Sequence, residues 1–281
     1  MTLSPSTPVS RFQRAALYTQ RVFERDKLAN KHRKEIAKFF ISQRDLTLQY
    51  LKKLGPLFEE KSPLVKTQAE IPGWDAVWNE IAKRSTEELK RIIIDAEIDG
   101  LKAGSTRGST ELSMTGPLPK TTFNLANPRA VAFMKENGGS LQYIRGIQDT
   151  TKSELQTIIT DALDTGKSYG QLEKEIKTRF SEYSEKLPGK DITRAHLIAI
   201  TETGKAYEEG NAEFARGLAD AGITMVKTWE TSKDDRVSDG CQENEDEGPI
   251  PINQYHTSGH MHPPRFPSCR CYESYEQAGS D

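Results

Sequence analysis

The chain has 281 residues, of which 35% are hydrophobic and 28% are charged. This composition favours a helical protein with a thin core over a compact α/β enzyme, because a low apolar content limits the surface that folding can bury. The formal net charge of −2 excludes a strong overall field for nucleic acid. No stretch approaches the roughly 18 apolar residues of a membrane span, so we expect no membrane association.

The N-terminal third is predicted to be helical after a short arm. Residues 1–10 are rich in Ser, Thr and Pro and lack the apolar segment of a secretory signal, so we expect a disordered arm. Apolar side chains then recur at helical spacing, and residues 11–103 are predicted to form an N-terminal helical region. Gly100 and Gly104 are expected to end its second helical block.

The start of the chain is also basic. Residues 1–60 contain twelve Lys or Arg and six Asp or Glu, an excess of six positive charges. Basic helices can contact DNA phosphates, dock on an acidic protein or present a solvated face, and the pattern leaves all three open.

Residues 104–120 differ from the helical segments on either side. They contain Gly-Ser-Thr-Arg-Gly-Ser-Thr, and then Gly116–Pro117 and Pro119. Glycine and proline at this density predict a flexible linker and a domain boundary. The alternative is an ordered surface loop within one domain.

Residues 121–222 are predicted to form a central helical region. Its strongest helical pattern covers residues 191–219, where seam positions recur in steps of three and four. Asn211 lies on this seam, and a polar group in such a place usually sets the register of helices through a specific hydrogen bond.

Residues 223–281 change character and are predicted to form a C-terminal β and loop unit. Ile223–Thr231 is β-branched and aromatic, and Cys269–Tyr275 resembles a short closing strand. The predicted fold class is therefore mainly α (α+β), an elongated helical bundle followed by a small, loop-rich unit that zinc could stabilise.

The most specific chemical signal is the group of three cysteines, Cys241, Cys269 and Cys271. An odd number at one end is not a disulfide framework and fits a reducing compartment. The Cys-x-Cys pair places two thiols on one side of a strand, and three thiolates with one imidazole make a tetrahedral zinc set. Three histidines lie between the cysteines, of which His262 is nearest to the pair: His256, His260 and His262.

We therefore predict a structural zinc site at Cys241, Cys269, Cys271 and His262. Four protein ligands would leave no open position for catalysis. The alternative is a small β unit with reduced thiols, closed by packing alone.

An acidic run occupies residues 231–250, with seven Asp or Glu and two Lys or Arg. Such a run could bind a divalent cation, but a solvated loop is the favoured interpretation. Its spacing does not match a twelve-residue calcium loop.

Three segments in order resemble one family. Arg194–Glu202 with Asn211 is similar to a family helix of the form RAxxIAxTE…N. Trp229 with Asp234–Val237 is similar to a W…D.RV strand and turn, and Pro263–Cys271 resembles a PP.HP.CRC ending. The ordered series resembles the Mu F-like (phage head morphogenesis) family over roughly residues 120–275.

The chain departs from this family at two positions that affect metal binding. Some members carry Cys-x-x-Cys after the Arg-Val, whereas here Ser238 precedes Cys241. Phe266 replaces a histidine that is frequent in the family. A four-cysteine site is thus excluded, and a metal would require a histidine ligand.

The resemblance implies a non-enzymatic minor capsid protein of a tailed phage or prophage. Its expected partners are portal and capsid proteins, with DNA contact through the basic helices and homo-oligomerisation left open. Its expected location is the virion, and the host cytoplasm during assembly. The alternatives are a metal-dependent nuclease or toxin-like enzyme, and a non-specific DNA-binding protein.

Overall fold

The computed structural model describes residues 11–53, 74–114, 128–134, 141–185 and 192–279. The predicted arm at 1–10 lies outside these ranges. Seven helices and three strands are found in them: α1 (Arg11–Lys53), α2 (Trp74–Ser113), α3 (Pro128–Phe133), α4 (Leu141–Asp164), α5 (Tyr169–Ser184), α6 (Arg194–Asp220), β1 (Met225–Glu230), α7 (Asp239–Asp246), β2 (Ile250–Pro251) and β3 (Tyr272–Gln277). The predicted mainly helical fold with a small C-terminal sheet is confirmed. No helix in the described ranges is both long and apolar enough to cross a bilayer.

The chain divides into two compact units that do not follow sequence order. Unit 1 contains Met1–His32, Ile94–Glu136 and Leu197–Asp281, and unit 2 contains Arg33–Ile93 and Asn137–His196. This division differs from the predicted succession of an N-terminal region, a linker, a central region and a C-terminal unit.

Unit 2 is a helical assembly with an aromatic core. Phe40, Phe180 and Tyr183 are buried, and the rings of Phe40 and Tyr183 lie 5.1 Å apart. The guanidinium of Arg194 lies 4.9 Å from the centre of the Tyr183 ring and donates to the hydroxyl of Thr151 at 2.8 Å. Burial of these large rings removes apolar area from water and so stabilises the unit.

In unit 1, α2 packs closely on α6 through glycines. A Cβ at Gly104 would overlap the backbone carbonyl of Tyr207, and one at Gly210 would overlap the carbonyl of Leu101. The absence of a side chain at these positions lets the two backbones approach each other.

The prediction that α2 ends at Gly104 is wrong. The helix continues to Ser113, so residues 104–113 are helical and not part of a flexible linker; residues 115–120 lie outside the described ranges. The helix tolerates Gly104 and Gly108 because both face α6, and tertiary packing outweighs their poor helix propensity.

The sheet of unit 1 confirms the two predicted strands. All its pairs are antiparallel, in the order β2-β1-β3, with Trp229 opposite Glu273. Burial alternates along β1, as expected for a strand with one covered face. The buried amine of Lys227 donates to the carbonyl of Met261 and lies 3.6 Å from the carboxylate of Glu273.

Part of the acidic run, Asp239–Asp246, forms α7, and several of the run's carboxylates are exposed to solvent, as predicted. Two others have partners within unit 1: Asp234 pairs with Arg270, and Glu245 accepts from the hydroxyl of Thr231 at 3.0 Å. Among the described residues, the run supplies no group of three closely spaced metal ligands.

The α2–α6 contact yields a first prediction. We expect Gly104→Ala to lower the free energy of unfolding by about 1–3 kcal/mol, because the new methyl group must push two backbones apart. Urea denaturation measures the change. Gly146→Ala in α4 is the matched control: a Cβ there would meet nothing within 4 Å, so we expect a gain of about 0.5–1 kcal/mol. Equal effects from the two substitutions would contradict the close contact.

Candidate metal centre

The three cysteines meet in unit 1. Cys241 lies in the first turn of α7, and Cys269 and Cys271 lead into β3. All three are buried, and their sulfur atoms lie within 4.8 Å of one another. Trp229 of β1 and Val237 pack against them. The structure therefore brings together the cysteines that the sequence singled out.

The spacing of the sulfurs is close to what a metal requires. Zinc–sulfur bonds of ~2.3 Å in a tetrahedron place sulfurs roughly 3.8 Å apart. The three sulfurs lie within 4.8 Å of one another, so small rotations of the cysteine side chains would bring them to this spacing. The donor set is soft and suits zinc.

Hydrogen bonding makes one of the thiols acidic. The side chain of Cys271 and, to a smaller extent, the backbone amides of Arg265 and Cys271 lower the pKa of Cys269 to about 5, although burial opposes this. The pKa of Cys271 is raised, because its thiol donates to the Cys269 sulfur and is itself buried. Of the two thiols, Cys269 loses its proton more readily, and a thiolate is the form that binds metals.

Two nitrogens beside the cluster lack other partners. Nε1 of Trp229 and Nε of Arg265 are buried without a hydrogen-bond partner among the described residues. A Cβ at Gly240 would overlap the Arg265 guanidinium, so the glycine makes room for this cation. Donors and a cation of this kind fit an electron-rich thiolate cluster, because buried polar groups are costly when left unsatisfied.

His262 lies in a different environment. Its Nε2 is 2.6 Å from a carboxylate oxygen of Glu209, and its Nδ1 is 2.7 Å from the carbonyl of Pro263. The cluster of potential metal ligands in the described chain contains the three cysteines without His262. The site with three cysteines and His262 as ligands stays a prediction. In the structure, the imidazole of His262 is bound to Glu209.

The other two histidines are also engaged. Nε2 of His256 is 2.6 Å from Glu273, and its Nδ1 is 3.1 Å from Glu247. Nδ1 of His260 lies 3.0 Å from the carbonyl of Ser258.

Two arginines of α1 hold the strand that carries the cysteines. Arg25 donates to the carbonyls of Cys271 at 3.1 Å and Cys269 at 3.2 Å. Arg21 donates to the carbonyl of Glu273 at 2.8 Å. The bond from Arg21 satisfies the carbonyl of Glu273 at the outer edge of β3, and those from Arg25 hold the residues that lead into the strand.

Glu208 of α6 completes this arginine clamp, formed by Arg21, Arg25 and Glu208. Its carboxylate lies 3.8 Å from Arg21 and 3.4 Å from Arg25, and it accepts from the backbone amide of Glu273 at 3.2 Å. Burial raises the pKa of Glu208, whereas the two arginines lower it. The clamp therefore couples α1, α6 and β3 through buried charged groups, whose interactions are not screened by water.

Sequence reasoning missed the clamp, although a signal was present. The buried face of α1 steps through positions 21, 25, 29, 32 and 36. Arg21 and Arg25 lie on that face, in register with Ala29 and Ile36. Basic residues in the apolar stripe of a helix indicate that they have buried partners. The excess of positive charge over residues 1–60, by contrast, was interpreted as lying on the surface of the helices.

The clamp yields a second prediction. We expect Arg25→Met to lower the free energy of unfolding by about 3–5 kcal/mol, because Glu208 loses a partner and two carbonyls lose a donor. Denaturation measures the loss, and hydrogen exchange should show faster opening at β3. Lys27→Met removes an exposed charge two residues away and should change stability by less than about 0.5 kcal/mol. Unchanged exchange in Arg25→Met would refute the clamp.

Asn211 makes a specific hydrogen bond in unit 1, but to a strand and not to another helix. Its side-chain amide donates to the carbonyl of Glu273 at 3.0 Å, which fixes α6 against β3. Elsewhere on α6, Glu202 is fully buried, and a carboxylate oxygen lies 3.4 Å from the amine of Lys205. Glu97 of α2 is also fully buried, and neither of its carboxylate oxygens has a hydrogen-bond partner in the described chain.

This carboxyl group yields a third prediction. Burial, and secondarily Glu202, raise the pKa of Glu97 from 4.5 to about 9. Between these values the folded state keeps a proton that the unfolded state releases, so this group makes stability fall as pH rises. Glu97→Gln should flatten that slope and raise the free energy of unfolding at pH 8 by about 1 kcal/mol or more. Urea titrations from pH 5 to 9 test this.

The control is Glu87→Gln, which changes a 78% exposed carboxylate on the same helix. It should leave the slope of stability against pH unaltered. A slope in Glu97→Gln equal to that of the unmodified protein would contradict a buried, protonated Glu97.

Comparison with known proteins gives a family match. Residues 153–273 match the family model described as Phage Mu protein F like protein. This match confirms the family resemblance drawn from the sequence motifs. No curated protein and no solved structure gives a significant match.

Proposed function

Because residues 153–273 match the Phage Mu protein F like family, we propose that this chain is a structural minor head protein of a tailed phage or prophage. The family is one of phage head proteins, which supports a role in head morphogenesis. In this role the chain would act by binding other proteins during head assembly.

The observation that carries this proposal is the use of the family motif residues. Arg194 stacks on Tyr183, Asn211 bonds to β3, and Cys269 and Cys271 lie in the buried cluster. These side chains hold helices and strands together. Motif residues that serve internal packing are typical of a structural module.

We further propose portal and capsid proteins as partners. The protein would then be in the host cytoplasm during assembly and in the virion afterwards. Homo-oligomerisation belongs to the same proposal, since head proteins act in repeated arrangements.

DNA contact through α1 has less support. Arg21 and Arg25, two of the basic residues in this helix, are buried in the arginine clamp. The exposed residues Lys27, Lys34 and Lys38 are left to contact phosphates. Binding that weakens steeply with salt would favour this role.

We also propose that the cysteine cluster binds a structural zinc ion. Three buried sulfurs within 4.8 Å of one another, the lowered pKa of Cys269 and the buried Nε of Arg265 without a partner in the described chain support it. Bound zinc would tie α7 to the start of β3 and stabilise a part of the chain with little apolar core.

Particle composition tests the main proposal. In particles purified from the phage or prophage that encodes the chain, mass spectrometry should find the protein after DNase and salt washing. A tagged copy should retain the portal or another head protein. Abundant protein in the lysate and none in washed particles would overturn the proposal.

Arg25→Met and Lys27→Met supply a matched pair for this experiment. The first disrupts the arginine clamp and should reduce incorporation into particles several-fold. The second removes an exposed charge and should be incorporated normally. Equal loss in both would indicate a direct role for the α1 surface.

A further inference from the structure

The cysteine cluster borders a small cavity. The cavity has a volume of about 80 Å³ and is lined by the three cysteines together with Phe266, Ser268, Arg236 and Arg270. A water molecule occupies roughly 30 Å³ in the liquid, so the space admits water or a donor of a few atoms. The sulfurs therefore have open space on one side and packed protein, including Trp229, on the other.

A tetrahedral metal at this cluster needs a fourth donor. The described cluster supplies three sulfurs. His262 is the predicted fourth ligand, but its Nε2 lies 2.6 Å from Glu209 and its Nδ1 lies 2.7 Å from the carbonyl of Pro263. Releasing this imidazole for a metal would break its ion pair with Glu209 and leave that largely buried carboxylate with one partner fewer.

The His262–Glu209 pair is strengthened by its surroundings. Arg216 lies 2.9 Å from the Glu209 carboxylate and also contacts Glu213. Both ring nitrogens of His262 are therefore engaged by protein groups, Glu209 on one side and the carbonyl of Pro263 on the other.

We propose that a metal ion bound by Cys241, Cys269 and Cys271 keeps an exchangeable fourth position, which opens into this cavity and accepts a small anionic donor. The inference rests on the proposed metal site. This site differs from the closed site of three cysteines and one histidine that the sequence predicts, because His262 is bound to Glu209.

Charge favours an anion at this position. Zinc with three thiolates carries a net charge of −1, which by itself disfavours an anionic ligand. Two arginines offset part of this charge: Arg265 donates to the hydroxyl of Ser238 at 3.1 Å beside α7, and Arg236 lines the cavity with 72% of its side chain exposed, 3.9 Å from Asp234. An exposed cation at the cavity also attracts anions from solution.

Cobalt substitution tests the inference on the full-length protein. The protein is purified under reducing conditions, loaded with Co²⁺ and examined by elemental analysis and visible absorption. We expect one equivalent of cobalt, sulfur-to-cobalt bands for three thiolates and tetrahedral d–d bands. Added azide should shift the d–d bands in a saturable way, because it replaces the exchangeable ligand.

Variants separate the two possible coordination sets. His262→Gln should leave the cobalt spectrum and the azide titration unchanged, whereas Cys271→Ser should abolish stable binding. Arg236→Glu, an exposed substitution, should weaken azide binding several-fold without changing metal content. X-ray absorption of the unsubstituted zinc protein is independent of variant folding and should show three sulfurs and one lighter donor.

Each other outcome overturns a distinct claim. If less than a tenth of an equivalent of metal binds, the metal proposal fails, and this inference fails with it. If metal binds but the spectrum is insensitive to azide, the exchangeable position is refuted while the metal site stands. A changed spectrum in His262→Gln would identify the closed site that the sequence predicts.

Discussion

Unit 1 depends on the pairing of two buried arginines with backbone carbonyls and with one buried carboxylate. Arg21 and Arg25 reach from α1 to β3 and to the cysteines that precede it, and Glu208 of α6 balances their charge. A buried guanidinium is tolerated only when its donors are satisfied, so α1, α6 and β3 must be in place together. This requirement fixes the backbone of Glu273 at the outer edge of β3.

The clamp also explains why the family-matched segment is not structurally self-contained. The match covers 153–273, but the groups that satisfy β3 include Arg21 and Arg25, outside it. Gly104 and Gly108 of α2, also outside the match, allow close contact with α6. Three separate parts of the chain therefore build the unit that contains the cysteines, which is the physical basis for assigning the N-terminal helix a structural role.

The chemistry of the cysteine cluster follows from the same arrangement. The thiol of Cys271, and to a smaller extent nearby backbone amides, lower the pKa of Cys269, and the Glu209 carboxylate engages the histidine that would complete a closed zinc site. Three sulfurs in this arrangement suit a soft metal, and a cavity borders the cluster. The proposed structural function and an accessible metal position are compatible, because a metal held there would join α7 to the start of β3 through the sulfurs alone.

The sequence by itself determined the helical fold, the two main strands, the family resemblance and the choice of the three cysteines, because spacing and residue type are local properties. It also placed Asn211 at a helix contact. Tertiary structure alone decided that α2 continues past Gly104, since propensity favours a break there and only packing against α6 offsets it. It likewise decided that Arg21 and Arg25 are buried and that His262 pairs with Glu209. The two members of each pair lie far apart in sequence, and a local pattern does not predict which distant charged residues will form a pair.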